Sequence, residues 1–233
     1  MFAAIDWERR REAETDIVKW VTTYCMGIFL EDAPSKHGEE VLRSMWAALD
    51  SHNNYMICMG RGSGKSCYEL CTAMAAMAQG KQKFIVIVSN NSRAAGSLLK
   101  DMWRMISERY TAFAEDYPEV CGPYLIADGA WKRRQHYRGR PTELQKNATD
   151  LSFPRLFKDD GTEFPTSGST VTCRGIGSGI RGLRKGTQRV TCVLLDDLQD
   201  FDSASNPAQV EKLMDIIRKD IVPLAGKERL SII

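Results

Sequence analysis

The chain has 233 residues, 43% of them hydrophobic and 27% charged, with a formal net charge of +2. That suits one large or two small water-soluble domains with a buried core, and so small a charge announces no polyanionic partner by itself. No apolar run approaches the roughly 20 residues of a bilayer span, and the N-terminal MFAAIDWERRREAE is charged too early for a secretory signal, so the expectation is an intracellular protein.

The first fifty residues read as a helical lead-in packed on a core that occupies 51–233. One amphipathic piece runs from Asp16 to Tyr24 and a second from about Glu39 to Leu49, with a break over 32–38. The period then changes. Tyr55 to Met59 reads as a short apolar strand, and Ser66 to Gln79 as a helix closed by Gly80. FIVIV (84–88) reads as a buried strand, and another helix starts at Asn91. Strand, turn, helix, strand, helix is the order of a parallel sheet with crossover helices. Residues 109–168, rich in proline, glycine and charge, read as loops with short elements. Within them WKRRQHYRGR (131–140) sets five cations around Trp131 and Tyr137. It reads either as a solvated loop or as a phosphate-contacting patch. Ser169–Arg174 alternates like a strand, and VTCVLL (190–195) is a buried strand ending in Asp196 and Asp197. Asn206–Pro207 starts a helix reaching Val222. Leu230–Ile233 reads as a further strand, so the core is expected to be truncated at its C-terminal end.

Seven cysteines without a CxxC pair read as reduced, small apolar residues. His37, His52 and His136 are scattered, without metal-ligand spacing.

GRGSGKS (60–66) lies between the expected strand and helix, the setting of a phosphate-binding loop. Gly60, Gly62 and Gly64 let backbone N–H groups converge on phosphate oxygens, with Arg61 and Ser63 between them. The helix start adds its positive end. Lys65 supplies a point charge for the β- and γ-phosphates, and Ser66 a hydroxyl for Mg2+. Met59 stands where the usual pattern has its first glycine. GSGIRG (177–182) also fits a dinucleotide-loop spacing, but the basic LRKGTQR that follows is a poor helix, which argues against that reading.

Beside such a loop the strand-end acids gain roles. Asp196 can hold the Mg2+ shell, and Asp197 can orient an attacking water, with Gln199 and Asp200 as alternatives. Arg61 is either solvent-facing or a clamp on the γ-phosphate. Arg181 lies in a glycine-flanked loop that a subunit edge could insert into a neighbour's site, with Arg184 and Lys185 as rivals.

MGRGSGKS, SGSTVTCRGIGSGIRG, RVTCVLLDD, a proline-capped helix and a strand, in that order, resemble the ATPase domain of tailed-phage large terminase subunits, the motors that package viral DNA. The resemblance covers about residues 40–233. Family members commonly have arginine at the position of Arg61, and an Arg-Gly pair matched here by Arg181-Gly182, whose arginine is a candidate trans-acting finger. Where the family has glutamate this chain has Asp197. The resemblance implies an α/β P-loop NTPase fold of the RecA-like, additional-strand type. Its sheet would be mainly parallel and flanked by helices, with the acid strand separated from the loop strand by another strand. It implies ATP and Mg2+ as ligands, with Ser66 and Asp196 on the metal. Its implied partners are double-stranded DNA, a portal, a small terminase subunit and other copies in a homo-oligomeric ring, in the host cell cytoplasm. The family's nuclease domain is not expected within these residues. Two other readings remain: a different nucleic-acid translocase or helicase, and a nucleotide-gated assembly module with little turnover.

Overall fold

The computed structural model describes residues 5–60, 62–127, 136–137, 139–199, 205–226 and 230–233. Helices α1 (Trp7–Glu14) and α2 (Ile17–Tyr24) are opened by Asp6 and Asp16, whose carboxylates accept backbone N–H bonds from the first turn. Helix α3 (Lys36–Ser51) is capped likewise by Ser35. Then come α4 (Lys65–Ala78), strand β1 (Phe84–Ser89) and α5 (Ser92–Ser107), capped by Asn91, followed by α6 (Ala112–Asp116) and α7 (Pro118–Ala127). Strands β2 (His136–Tyr137) and β3 (Arg140–Pro141) pair as an antiparallel hairpin. After them run β4 (Gln145–Lys146), β5 (Asp150–Ser152) and β6 (Thr170–Gly175). A second hairpin, β7 (Arg184–Lys185) with β8 (Gln188–Arg189), precedes β9 (Cys192–Asp196). Helix α8 (Pro207–Ile216) continues through a π-helical turn (Ile217–Ile221) and a 3-10 turn (Val222–Ala225), before β10 (Ser231–Ile232).

The central sheet has the order β10-β9-β1-β6-β5-β4. Its first four strands are parallel, and β5 and β4 are added antiparallel at one edge. The chain is therefore mixed α/β, with a mainly parallel sheet flanked by helices. All six residues of β1 are buried, as expected for a central strand covered on both faces. Its side chains alternate between two cores. Ile85 and Ile87 join the large cluster built with α1 to α7. Phe84, Val86 and Val88 join a smaller one with Ile180, Val190, Val193, Ile221 and Leu224.

Residues 55–59 are not a regular strand. Tyr55 N–H donates to the Ile232 carbonyl at 2.9 Å, and Ile232 N–H donates to Asn54 Oδ1 at 3.0 Å. Ser231 and Ile233 direct their N–H groups the other way, to Thr191 and Val193 beside β9. Strand β10 therefore separates β9 from the segment that starts at Tyr55. Tyr55, Ile57 and Met59 pack on the large core while Met56 and Cys58 are exposed. The alternation of a strand is present, but a two-residue neighbour offers too few partners for a ladder.

The stretch 109–168 holds short elements, as expected, among them α6 and α7. Helix α7, PEVCGPYLIA, has a glycine and an internal Pro123, which propensity penalises. Burial of Val120, Cys121, Tyr124 and Ala127 overrides that penalty. The same helices anchor the N-terminal ones. Trp20 Nε1 donates to the Tyr117 hydroxyl at 3.0 Å, and Tyr24 donates to the fully buried Asp116 at 2.8 Å. Arg9 closes a bidentate pair with that carboxylate at 2.6 and 2.7 Å. All seven cysteines are free thiols and five are buried. No described helix is long and apolar enough to cross a membrane.

Helix α4 ends at Gly80, where φ is +72°. A Cβ there would stand 2.5 Å from the Pro165 carbonyl oxygen, so only glycine fits this junction with the loop before β6.

Candidate functional site

The loop before α4 turns through Gly62 and Gly64, with φ of +76° and +80°, in the left-handed region that glycine occupies without strain. Gly64 is the N-cap of α4 and contributes no side-chain hydrogen bond to the helix start. The first N–H groups of α4 thus lack the side-chain acceptor that Asp16 and Asn91 give α2 and α5. Ser63 folds the loop on itself, its hydroxyl donating to the Gly60 carbonyl at 2.6 Å. Lys65 Nζ reaches back and donates to the Met59 carbonyl at 3.2 Å, which holds the ammonium over the loop. Arg61 lies outside the described residues.

The loop meets the far-away acid strand through one short contact. Ser66 Oγ, in the first turn of α4, donates to Asp196 Oδ1 at 2.6 Å across 130 residues of sequence. Asp196 is the last residue of β9. It is in register with Ser89, the last residue of β1, which is in turn in register with Gly175, the last of β6. Three neighbouring parallel strands thus end together, β9 at the start of α4 through Ser66 and β6 against Ser92 at the start of α5. Asp197 follows with φ +45°, a left-handed conformation that aspartate tolerates better than most residues, and the chain turns sharply there. Gln199 has a buried Nε2 without a hydrogen-bond partner, and Asp200 lies outside the described residues.

Glu69 is part of this site although the sequence reading did not single it out. It sits on α4 one turn beyond Ser66 and is buried. Burial and then the Asp196 carboxylate push its carboxyl up to about 8, while Lys65 opposes the shift. The signal was available, because positions i+3 from Ser66 and i+4 from Lys65 share one helix face. A glutamate in an otherwise apolar helix is the anomaly that would have marked it.

Arg181 has an intrachain partner. Its Nε donates to Asp220 Oδ1 at 2.5 Å, on the π-helical turn after α8, while 74% of its side chain stays exposed. Its rivals divide. Arg184 is exposed on β7. Lys185 is half-buried and donates to the Ser152 and Thr170 hydroxyls, which pins its hairpin to the sheet edge. The glycine-spaced stretch 177–182 leads into this hairpin rather than a helix, in line with the reading against a dinucleotide loop.

The described residues hold no group of three or more His, Cys, Asp or Glu side chains placed to bind a metal. The donor set present is one hydroxyl and one carboxylate, Ser66 and Asp196. These hard oxygens suit an ion such as Mg2+, which keeps most of its shell for water and phosphate.

Neither a scan against protein-family models nor a search of curated proteins returns a match for this chain.

Proposed function

We propose that this chain is a phosphate-loop ATPase of the RecA-like, additional-strand type, acting as the motor domain of a tailed-phage large terminase subunit. In this reading it couples ATP hydrolysis to movement of double-stranded DNA into a procapsid, in the host cytoplasm. It would work with a portal, a small terminase subunit and other copies of itself in a ring. The observation that carries the reading is the 2.6 Å contact between Ser66 and Asp196. It joins a glycine loop at a helix start to the acid at the end of a parallel strand, the pairing that phosphoryl-transfer chemistry requires. The placement of β10 between β9 and the loop-bearing segment supports the same reading.

The residues then divide the work. The N–H groups of 60–66 and the α4 N-terminus bind the phosphates. The Lys65 ammonium leaves the Met59 carbonyl for a phosphate oxygen. Ser66 and Asp196 would hold Mg2+, which when bound offsets charge on the β- and γ-phosphate oxygens. Asp197 orients water by accepting its proton in a hydrogen bond. Arg61, outside the described residues, would be the candidate clamp on the γ-phosphate. Arg181 serves a neighbouring subunit, and for that it must leave Asp220.

Equilibrium binding of a fluorescent ADP, together with phosphate release from Mg·ATP, tests this. The wild type should bind and turn over. Lys65→Ala and Asp196→Asn should each lower turnover by on the order of 10²–10³. A wild-type chain that binds no nucleotide removes the reading. Tight binding without turnover, unchanged by ring assembly, would favour the assembly module.

A further inference from the structure

Three acidic side chains are buried among the described residues: Glu69, Asp116 and Glu119. Two of them are answered by guanidiniums. Arg9 closes on Asp116 from two nitrogens, with the Tyr24 hydroxyl as a third donor, and Arg10 meets Glu119 at 2.8 Å. Glu69 is only 7% exposed, yet it makes no hydrogen bond and no ion pair with any described residue. A carboxyl withdrawn from water without a partner is costly, so this one asks for a ligand.

The helix sets where the orphan group stands. Glu69 and Lys65 are the two ionic residues of α4. Glu69 lies one turn after Ser66 on the same face, and Ser66 Oγ donates to Asp196 at 2.6 Å, so that face lies against β9. Strand alternation puts Cys192, Leu194 and Asp196 in one row, and Cys192 and Leu194 belong to the core built with α4. Both ends of the row feel the neighbourhood. After burial, the Asp196 carboxylate pushes the Glu69 carboxyl up. After burial, Glu69 pushes the Cys192 thiol up. Lys65 leaves Glu69 unpaired, because its ammonium donates to the Met59 carbonyl at 3.2 Å.

One hydroxyl and two carboxyls therefore gather at the head of α4, all of them hard oxygen groups. The described residues hold no group of three acids, histidines or cysteines placed to bind a metal together. Glu69 thus stands one remove behind Ser66 and Asp196. Mg2+ keeps several waters of its shell, and such waters need acceptors on the protein side. We propose that Glu69 is a positioning residue of the cation site, holding a water of the Mg2+ shell while Ser66 and Asp196 face the ion. The proposal rests on the phosphate-loop reading and adds to it the acceptor that a hydrated ion requires.

The test compares the affinity for fluorescent ADP with and without Mg2+. It is run at pH 8.5, above the value of about 8 at which Glu69 gives up its proton. In the wild type Mg2+ should tighten ADP binding. Glu69→Gln should lose about tenfold in Mg·ADP affinity while ADP binding without metal stays near wild type. Glu69→Asp keeps the charge and should recover part of the loss. Glu108→Gln, which removes an exposed acid at the end of α5, should behave as wild type. An unchanged Mg2+ effect in Glu69→Gln, an equal loss of metal-free binding, or a Glu69→Asp variant no better than Glu69→Gln each overturns the proposal. Urea melts without nucleotide, in MgCl2 against NaCl of equal ionic strength, separate the two readings. If ADP fails to bind while Mg2+ raises the wild-type midpoint and not that of Glu69→Gln, the cation site stands and the ATPase reading falls. If ADP binds and Mg2+ changes neither its affinity nor the midpoint, the role of Glu69 falls and the phosphate loop stands.

Discussion

On one face of the sheet, Ile85, Ile87, Val171 and Leu194 lie under a core that draws on α1 to α7. On the other, Phe84, Val86, Val88 and Val193 are covered by Ile180, Ile221, Leu224 and a few partly buried neighbours. The contrast maps onto the site. The thick face carries α4, whose residues from Tyr68 to Ala78 are all buried, and so it fixes Ser66 against Asp196. The thin face carries the Arg181 loop and the turn bearing Asp220. In the proposed ring, these are the parts that would have to rearrange to free Arg181 from Asp220. Stability and adjustability are thus assigned to opposite sides of the same strands.

The largest expected break of that contrast is Trp20→Ala. It empties the centre of the thick face and leaves the Tyr117 hydroxyl without its indole donor, so unfolding free energy should fall by about 3–5 kcal/mol in urea. Ile221→Ala makes the matching void on the thin face. A loss of about 2–3 kcal/mol is expected there, and fluorescent ADP binding should stay unchanged while the loss at Trp20 does not spare it.

A third variant probes the one point where the thick face reaches the acids. In the fold Glu69 keeps its proton up to about pH 8, above its unfolded value. Its contribution is therefore complete in acid and is lost as pH rises through 8. Glu69→Gln should remove this slope, about 1.4 kcal/mol per pH unit between the two values. Urea melts at pH 5 and pH 8 check it. A slope that survives the substitution would assign it to another group. The smallest effect belongs to Arg181 and Asp220. A double-mutant cycle should give a coupling of about 0.2–1 kcal/mol, because the guanidinium is mostly in solvent. Asp220→Ala alone should raise turnover in assembled rings if the pair restrains the finger.

The thick face and the loop were largely legible in the sequence, because periodicity and cap residues are local signals. The α5 start at Asn91, the α4 boundaries near Gly64 and Gly80, and the apolar runs of β1 and β9 fall where the residues suggest. The pairing of Ser66 with Asp196 could be inferred only because two local motifs name each other. What could not be read depends on distant burial. Helix α7 forms despite Pro123, residues 55–59 lack a ladder because β10 is short, and Glu69 shifts because of its burial and then a carboxylate far away in the chain. Arg181 was placed in a loop correctly, but its tie to Asp220 had no local signature.

The contact at Gly80 has a mechanical consequence. Helix α4, with 14 residues, is about 20 Å long. Its head holds the Ser66 hydroxyl, and its foot is wedged against the Pro165 carbonyl, where no side chain can cushion the joint. The loop 153–169 that carries Lys158 bears on that foot. Any side chain placed at residue 80 would therefore have to displace either that loop or the foot of the helix.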